Sequence, residues 1–321
     1  MHLRSHFLVF LFLLILSCSP DKKIKEEVLD IDIQVKVDRF DQKFAKVTPE
    51  TLYQLKAEYP FMFPEQYHDS IWIQKSKDTL QKQLEIEVDK MFSDFREYED
   101  EISLLFKHMK YYFPEFNEPQ ILTLISDVDY RNKVIYADSL VVVGLDNFLG
   151  ADHFFYVDIN RYIAKNLISE QLTPEIAEAI SERFVRPPSG RTFMDLMVYY
   201  GKKQYLKEQL MPLYDEHRII GFTEDELEWA KANEMEIWRY FVEREILFST
   251  DPQLAPRFIN PAPFSKFYLE LDNESPGRLG QYIGWQIVRA YAQNNESNLK
   301  QLLSLSGEEI YKNSKFKPKR Q

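Results

Sequence analysis

The only cysteine in this 321-residue chain, Cys18, is separated by one residue, Ser17, from the ten-residue apolar segment 7–16. A chain with one cysteine cannot form an intrachain disulfide, so its fold depends on burying apolar side chains. The composition supports this, because 45% of the residues are hydrophobic and 15% are aromatic, which is unlike a disordered chain. The sequence therefore predicts a folded protein with a hydrophobic core and no covalent cross-link.

Residues 1–17 have the anatomy of a secretory signal peptide. A polar start with Arg4 precedes the apolar segment, which is about half as long as the roughly 20 residues of a transmembrane helix. The sequence ILSC at 15–18 fits the bacterial lipobox, in which the cysteine is acylated and becomes the first mature residue. We predict that residues 1–17 are removed and that acylated Cys18 anchors the protein in a membrane. An ordinary signal peptide containing a chance cysteine is the alternative.

The chain is acidic, with a formal net charge of -11. A protein that binds nucleic acid needs a concentrated basic surface, so this charge argues against a nucleic-acid partner. Residues 312–321 nevertheless carry five positive charges, and we interpret them as a basic C-terminal tail. Such a tail is either solvated or contacts anionic lipid headgroups or an acidic partner.

The order of periodic segments predicts an α+β fold. Residues 31–37 alternate apolar and polar side chains, as a half-buried strand does, and 120–145 contains three short β-branched segments. The region 69–113 has a helical pattern that suggests two helices, and nearly everything after Phe155 is helical. Helix starts are predicted where Thr or Ser precedes a helical pattern, at Thr48, Thr173, Thr192, Thr223 and Ser275. The helix from Thr223 is expected to extend toward Leu247.

No internal repeat or low-complexity linker divides the chain. We therefore predict one α+β domain over 28–311, in which a small sheet joins a predominantly helical body. Residues 18–27 are polar and are interpreted as a short tether after the lipidated cysteine. Gly280 and Gly284, four residues apart in a predicted helix, permit the close approach of another element on that face.

The motifs of several common enzyme classes are absent. The sequence contains no GxxxxGK[ST] loop, no GxSxG turn, no HExxH pair and no CxxC pair. The histidines after the signal peptide, His68, His108, His153 and His217, are far apart, so we predict no metal site and no cofactor. The segment 144–160 gathers carboxylates around two glycines, which allows a Ca²⁺ site or, more simply, a turn before a helix.

Arginines flank a turn between two predicted helices. Arg186 and Arg191 lie on either side of a Pro-Pro-Ser-Gly sequence that leads into a helix N-terminus, an arrangement able to receive a carboxylate or phosphate. Arg278 similarly opens the helix predicted after Ser275. Pairing with the protein's own carboxylates is the alternative for these arginines.

Two long segments, RTFMDLMVYYGKKQYLKEQLMP at 191–212 and SPGRLGQYIGWQIVRAYAQNN at 275–295, resemble the GldB-type gliding-motility lipoproteins of the Bacteroidetes. With the lipobox, the resemblance covers essentially the whole mature chain. It implies a membrane-anchored protein of the bacterial cell envelope, and we expect it on the periplasmic face rather than the cell surface. It also implies that the protein is needed for gliding and works with other gliding and type IX secretion envelope proteins.

This family is similar in turn to zinc metallopeptidases with a gluzincin-like layout, in which an HExxH helix precedes a helix that supplies the third zinc ligand. If Glu182 occupies the general-base position, Ser181 and Val185 occupy the two histidine positions. Tyr200 then stands where the downstream glutamate ligand falls. The resemblance thus implies a degenerate active site without metal ligands. The alternative is that Glu182 is an ordinary residue on a helix surface.

We therefore expect a non-catalytic, lipid-anchored interaction or assembly protein without catalytic residues. Its degenerate cleft would dock a partner through Arg186, Arg191 and Arg278. One alternative is a peptidase-like or cell-wall-directed hydrolase in which two carboxyl groups converge with pKa values pushed apart. Another is an envelope lipoprotein that binds a small ligand.

Overall fold

A computed structural model of the protein describes residues 24–269 and 272–319. The predicted signal peptide, the lipobox and Cys18 lie outside the described residues. The described chain has the predicted α+β architecture, a small sheet joined to a mostly helical body. No described helix combines the length and the hydropathy that a membrane-spanning segment requires.

The elements of the described residues follow one another in chain order. The strands are β1 Val37–Asp38, β2 Gln120–Leu124, β3 Val134–Ala137 and β4 Leu140–Gly144. The α-helices are α1 Glu26–Leu29, α2 Phe40–Ala45, α3 Leu52–Glu58, α4 Asp69–Ser76, α5 Thr79–Phe92, α6 Arg96–Tyr112, α7 Arg161–Ala164, α8 Leu172–Phe184, α9 Phe193–Leu210, α10 Glu216–Ile220, α11 Glu224–Ala232, α12 Glu234–Glu243, α13 Leu254–Phe258, α14 Leu279–Asn294, α15 Leu299–Ser304 and α16 Gly307–Ser314. Short 3₁₀ turns occupy Pro60–Met62, Leu145–Asn147, Phe154–Tyr156, Ser169–Gln171 and Asp272–Glu274.

The sheet contains the three strands predicted within 120–145. Its strand order is β1-β2-β4-β3, with β1, β2 and β4 parallel and β3 antiparallel to β4. The register places Val141 between Ile121 of β2 and Tyr136 of β3. Asp138 adopts a positive φ of 48° in the tight connection between β3 and β4. The edge strand β3 also packs against α8, which brings the sheet next to the helical body.

The strand predicted for residues 31–37 is wrong except at its end, because only Val37 and Asp38 pair with a neighbouring strand. The alternation itself correctly indicates burial, since Ile33 is buried while Asp32 and Gln34 are exposed. Ile31, Ile33 and Val35 pack against or within the core, and of residues 31–36 only the Lys36 carbonyl joins the ladder, accepting a hydrogen bond from the Ile121 N–H at 2.8 Å. An alternating pattern reports which side of an extended chain is covered, and not whether another strand lies beside it.

Several predicted helix boundaries also differ. The region 69–113 contains three helices rather than two, because α5 starts anew where the Asp78 carboxylate accepts hydrogen bonds from the N–H groups of Leu80 and Gln81. The helix expected from Thr48 begins only at Leu52. The long helix expected toward Leu247 is divided at Asn233, whose side-chain amide donates to the carbonyl of Trp229.

The helices α9 and α14 form the centre of the core. They pack on each other along their length, and α14 is buried on nearly every face. Trp285 is completely buried, and its indole N–H donates to Glu208 at 2.8 Å. The predicted close approach at Gly280 and Gly284 is confirmed, because backbone and side-chain atoms of neighbouring elements occupy the space where a Cβ would lie.

The end of the described chain packs against the body. Phe316 contacts Trp238, with ring centroids 5.2 Å apart. The backbone N–H of Lys319 donates to the buried carboxylate of Glu234 at 2.9 Å, and Tyr282 donates to the other oxygen at 2.9 Å. The segment predicted as a basic tail is therefore attached to the core as far as Lys319.

Candidate functional site

A cleft with a volume of about 720 Å³ opens between α8, α9 and the first turn of α14. We call it the basic cleft. Six cationic and three anionic side chains line it: Arg131, Lys133, Lys165, Lys203, Lys207 and Arg278, with Glu175, Glu178 and Glu182. Positive charges thus outnumber negative ones by three in a chain whose net charge is -11. The fold concentrates positive charge at this place.

Helix periodicity positions the walls of the basic cleft. Residues three, four and seven apart share one face of a helix. Two such polar faces meet in the cleft: Glu175, Glu178 and Glu182 on α8, and Tyr200, Lys203, Gln204 and Lys207 on α9. Much of the rest of both helices is apolar and buried, so the core determines which face turns to the cleft.

Glu178 forms the central ion pair between the two helices. Its carboxylate lies 2.5 Å from Lys203 Nζ and 3.1 Å from Lys207 Nζ, and both lysine side chains are almost completely buried. Burial raises the pKa of the Glu178 carboxyl, but the charges of Lys207 and Lys203 outweigh this effect and lower the pKa to about 2. Burial also opposes the charge of Lys203, yet Glu178 raises the pKa of that ammonium group overall. Glu178 and Lys203 therefore both stay ionised at neutral pH.

Two other lysines of the basic cleft are also paired. Lys133 lies 2.8 Å from the Glu175 carboxylate, and Lys165 forms an ion pair with Glu226. Burial lowers the pKa of Lys165 despite that partner. The Lys133–Glu175 pair joins the loop before β3 to α8, and the Lys165–Glu226 pair joins the segment after α7 to α11. Most of the positive charge in the cleft is thus neutralised by the protein's own carboxylates.

Arg131 and Arg278 form no ion pair with any described residue, and of these two Arg278 is the less exposed. It adopts a left-handed conformation with φ of 60° immediately before α14. One guanidinium nitrogen, Nη2, donates to the carbonyl of Gly221 at 2.6 Å, and the group lies 5.3 Å from the centre of the Phe222 ring. Burial lowers the pKa of Arg278, and surrounding carboxylates, including Glu226, act on it only from a longer distance.

Gln204 ends a short chain of amide hydrogen bonds beside Arg278. Gln281 Nε2 donates to the carbonyl of Ile259 at 2.8 Å, and Gln204 Nε2 donates to Gln281 Oε1 at 3.2 Å. Because the Ile259 carbonyl can only accept, the order of donors determines the orientation of both amides. Gln204 Oε1 is left buried, without a donor among the described residues. A buried acceptor without a partner is costly, so its retention needs an explanation.

The basic cleft brings together three of the residues singled out from the sequence. Glu182 lies at its rim with 67% of its side chain exposed and is 3.3 Å from Lys203. Tyr200 lines the cleft on α9, and Arg278 lines it at the start of α14. The fold thus brings Glu182, Tyr200 and Arg278 to one cleft.

The remaining predicted residues do not line this cleft. Ser181 and Val185 are buried, and the Ser181 hydroxyl donates to the backbone carbonyl of Glu178 at 2.6 Å. Arg186 and Arg191 are exposed on the connection between α8 and α9. The residues assigned to the degenerate histidine positions therefore do not converge with Glu182 and Tyr200.

Sequence reasoning missed Glu178, Lys203, Gln204 and Lys207. The available signal was the pair of lysines four residues apart in a helix that is otherwise largely apolar. Lysine is rarely buried without a partner, so this spacing indicates that an acidic side chain faces that stripe. It does not say which of the glutamates on α8 is the partner.

The carboxylates of the acidic segment 144–160 serve other elements. Buried Asp146 accepts hydrogen bonds from the N–H groups of Ser126 at 2.9 Å and Val128 at 2.6 Å, which holds the turn after β2. Asp152 pairs with Arg161 instead. Within 24–269 and 272–319, no group of three or more His, Cys, Asp or Glu residues is arranged to hold a metal ion.

Comparison with known protein families gives one result. A family model described as Gliding motility protein GldB matches residues 21–318. The match includes all the residues of the basic cleft. A search of curated proteins and a search of solved structures both gave no match.

Proposed function

Since the chain belongs to the GldB family of gliding motility proteins, we propose that it is a lipid-anchored component of the gliding apparatus that docks a partner in the basic cleft. The anchor in this proposal is acylated Cys18, and the protein faces the periplasm. The partners are other envelope proteins of the gliding and type IX secretion machinery. The cleft acts by binding and not by catalysis.

The pairing of Glu178 with Lys203 and Lys207 is the observation that carries a non-catalytic role. Hydrolysis by carboxyl groups needs one group that remains protonated near neutral pH and a second that is ionised. The pKa of Glu178 is lowered to about 2, so this group cannot donate a proton at neutral pH. Glu175 is occupied by Lys133. The arrangement suits an electrostatically defined groove better than an acid-base pair.

The proposed origin of the groove is a degenerate metallopeptidase site. Ser181, Glu182, Val185 and Tyr200 would stand in the former catalytic and ligand positions. This origin remains a prediction from the resemblance, and the docking proposal does not depend on it. The docking proposal and the proposed degenerate origin both predict that replacing Glu182, the glutamate at the rim of the basic cleft, should have little effect on function.

Photo-crosslinking in gliding cells tests the docking site. A benzoylphenylalanine in place of Tyr200, which lines the cleft, is expected to crosslink an envelope component of the gliding machinery. The matched control places the same group at Tyr53, a 66% exposed tyrosine that does not line the cleft. Equal crosslinking at both positions, or no envelope partner at Tyr200, would contradict the docking proposal.

A substitution at the rim tests the hydrolase alternative. The Glu182→Gln variant keeps the size of an exposed side chain and removes its charge, so we expect normal folding and normal gliding. Gliding speed of cells that produce the variant at the normal protein level is the measurement. Loss of gliding at that level would favour a hydrolase that uses Glu182.

A further inference from the structure

On the basis of the docking function above, we propose that the basic cleft binds a peptide through a carboxylate. Arg278 receives the carboxylate, and Gln204 Oε1 accepts a hydrogen bond from a peptide N–H. Both side chains line the same cleft, and Gln204 is joined through Gln281 to the first turn of α14 that Arg278 precedes. The ligand therefore needs two groups. Its carboxylate accepts hydrogen bonds from the Arg278 guanidinium, and its N–H group donates a hydrogen bond to Gln204 Oε1.

The state of Arg278 supports the carboxylate. Its contacts with Gly221 and Phe222 hold the side chain in place, and the guanidinium has no ion-paired carboxylate within the described chain. A partly buried cation without a counterion is unfavourable unless another group neutralises it. A carboxylate accepts two parallel hydrogen bonds from a guanidinium, which gives both affinity and orientation.

The unpartnered Gln204 oxygen supports a donor in the ligand. Only 2% of Gln204 is exposed, and its amide orientation follows from the chain that ends at the Ile259 carbonyl. Its Oε1 can be satisfied only by a group that donates a hydrogen bond. A peptide carries backbone N–H donors along with its carboxylate, whereas inorganic phosphate at neutral pH is mainly an acceptor.

The charge balance of the basic cleft also favours one carboxylate over a multiply charged anion. Lys203 and Lys207 share Glu178, Glu182 lies beside Lys203, and Lys133 pairs with Glu175, so these cations already have carboxylate partners. The same glutamates would repel a dianion. The volume of about 720 Å³ lies within the range of about 300–1,000 Å³ found for ligand pockets, which accommodates a short peptide.

Affinity selection with synthetic peptide pools tests this proposal. The full acylated protein in detergent micelles is mixed with random pentapeptides that lack Asp and Glu, either as free acids or as C-terminal amides. A third pool of amides contains one Glu at a varied position. Retention of the free acids identifies a C-terminal carboxylate, and retention of the Glu pool identifies an acidic side chain. Either result supports the proposal when Arg278→Gln weakens retention by about tenfold or more.

Four further measurements complete the test. Thermal melting checks that Arg278→Gln folds, and Gln204→Glu, which places a negative charge beside the bound carboxylate, is expected to reduce retention independently. Arg239→Gln is the control, because Arg239 is exposed, paired with Glu236 and outside the cleft. Inorganic phosphate should not displace the peptides. No retention of either acidic pool, or retention that is unaffected by both cleft variants, would overturn the proposal.

The outcomes also separate this inference from the docking function. Carboxylate-dependent retention without a crosslinked envelope partner at Tyr200 would support the ligand chemistry and contradict the role in docking. A crosslinked partner without carboxylate-dependent retention would support docking and contradict the ligand chemistry.

Discussion

Gly201 of α9 and Gly284 of α14 lie in direct backbone contact. A Cβ built at Gly201 would be 2.3 Å from the carbonyl carbon of Gly284, and one built at Gly284 would be 1.8 Å from the carbonyl oxygen of Met197. Real Cβ atoms cannot approach so closely, so both positions require glycine. One turn toward the C-terminus of α9 and one turn toward the N-terminus of α14, Gln204 meets Gln281 at the edge of the basic cleft. The close packing of the two helices therefore also sets the position of the amide pair.

Gly284→Ala should strongly destabilise the protein. The added methyl group would meet backbone atoms of α9, which cannot move aside as a flexible side chain can. We expect a loss of about 1–3 kcal/mol or more in the free energy of unfolding, measured by thermal or denaturant unfolding. Gly280→Ala is the graded comparison and should cost less, because its Cβ would lie 2.8 Å from the flexible end of Ile259 and 2.9 Å from the Phe258 carbonyl oxygen, against 1.8 Å from a backbone oxygen at Gly284. An equal loss in both variants would contradict the packing argument.

Glu178 should make stability depend on pH in the acid range. The pKa of Glu178 is about 2 in the folded protein, compared with an unperturbed value of 4.5. Its contribution to the free energy of unfolding is therefore fully present above pH about 4.5 and is lost as the pH falls toward 2. Glu178→Gln should cost about 3–5 kcal/mol near neutral pH, because buried Lys207 loses its paired carboxylate and buried Lys203 keeps only exposed Glu182. The difference in unfolding free energy between the wild type and this variant should shrink as the pH decreases.

Denaturant unfolding at several pH values measures this difference. Glu308→Gln serves as the control, since Glu308 forms an exposed pair with Lys312 and its replacement should change stability by less than about 0.5 kcal/mol. A difference between wild type and Glu178→Gln that stays constant from neutral pH to pH about 2 would show that Glu178 is not held ionised by the lysines.

Removal of residues 319–321 should destabilise the fold through Glu234. The truncation deletes the backbone N–H that donates to one oxygen of this buried carboxylate. The expected cost is about 1–3 kcal/mol, measured by thermal unfolding. Lys319→Ala keeps the backbone N–H and removes only the side chain, so it should remain within about 0.5 kcal/mol of the wild type. If the substitution cost as much as the truncation, the contribution would come from the lysine side chain instead.

Arg186 and Arg191 remain predicted docking contacts outside the basic cleft. Both are exposed, so replacing them with Ala should leave the melting temperature nearly unchanged. If the connection between α8 and α9 extends the docking surface, the double variant should glide more slowly at a normal protein level. Arg239→Ala provides a matched exposed control. Full gliding by the double variant would remove this connection from the docking surface.

The predictability of the fold differed between its parts. The strands within 120–145 and the starts of α9 and α11, capped by Thr192 and Thr223, were predicted correctly, because β-branched runs and Thr caps act through neighbouring residues. The strand expected at 31–37 failed, since its apolar face is covered without a hydrogen-bonded neighbour along most of the segment. A local pattern cannot report whether a distant strand supplies the backbone partners that a sheet requires.

The candidate site shows the same division more sharply. The amino-acid sequence established the lipobox pattern, the absence of an HExxH pair, and the glycines that allow close helix packing. It directed attention to Glu182, whereas the packed helices bring Glu178 between Lys203 and Lys207 and leave Glu182 at the rim. Both glutamates have the same local propensities. Their different roles arise because ion pairing and burial depend on the distance and rotation between α8 and α9, which are set by core contacts remote in the chain.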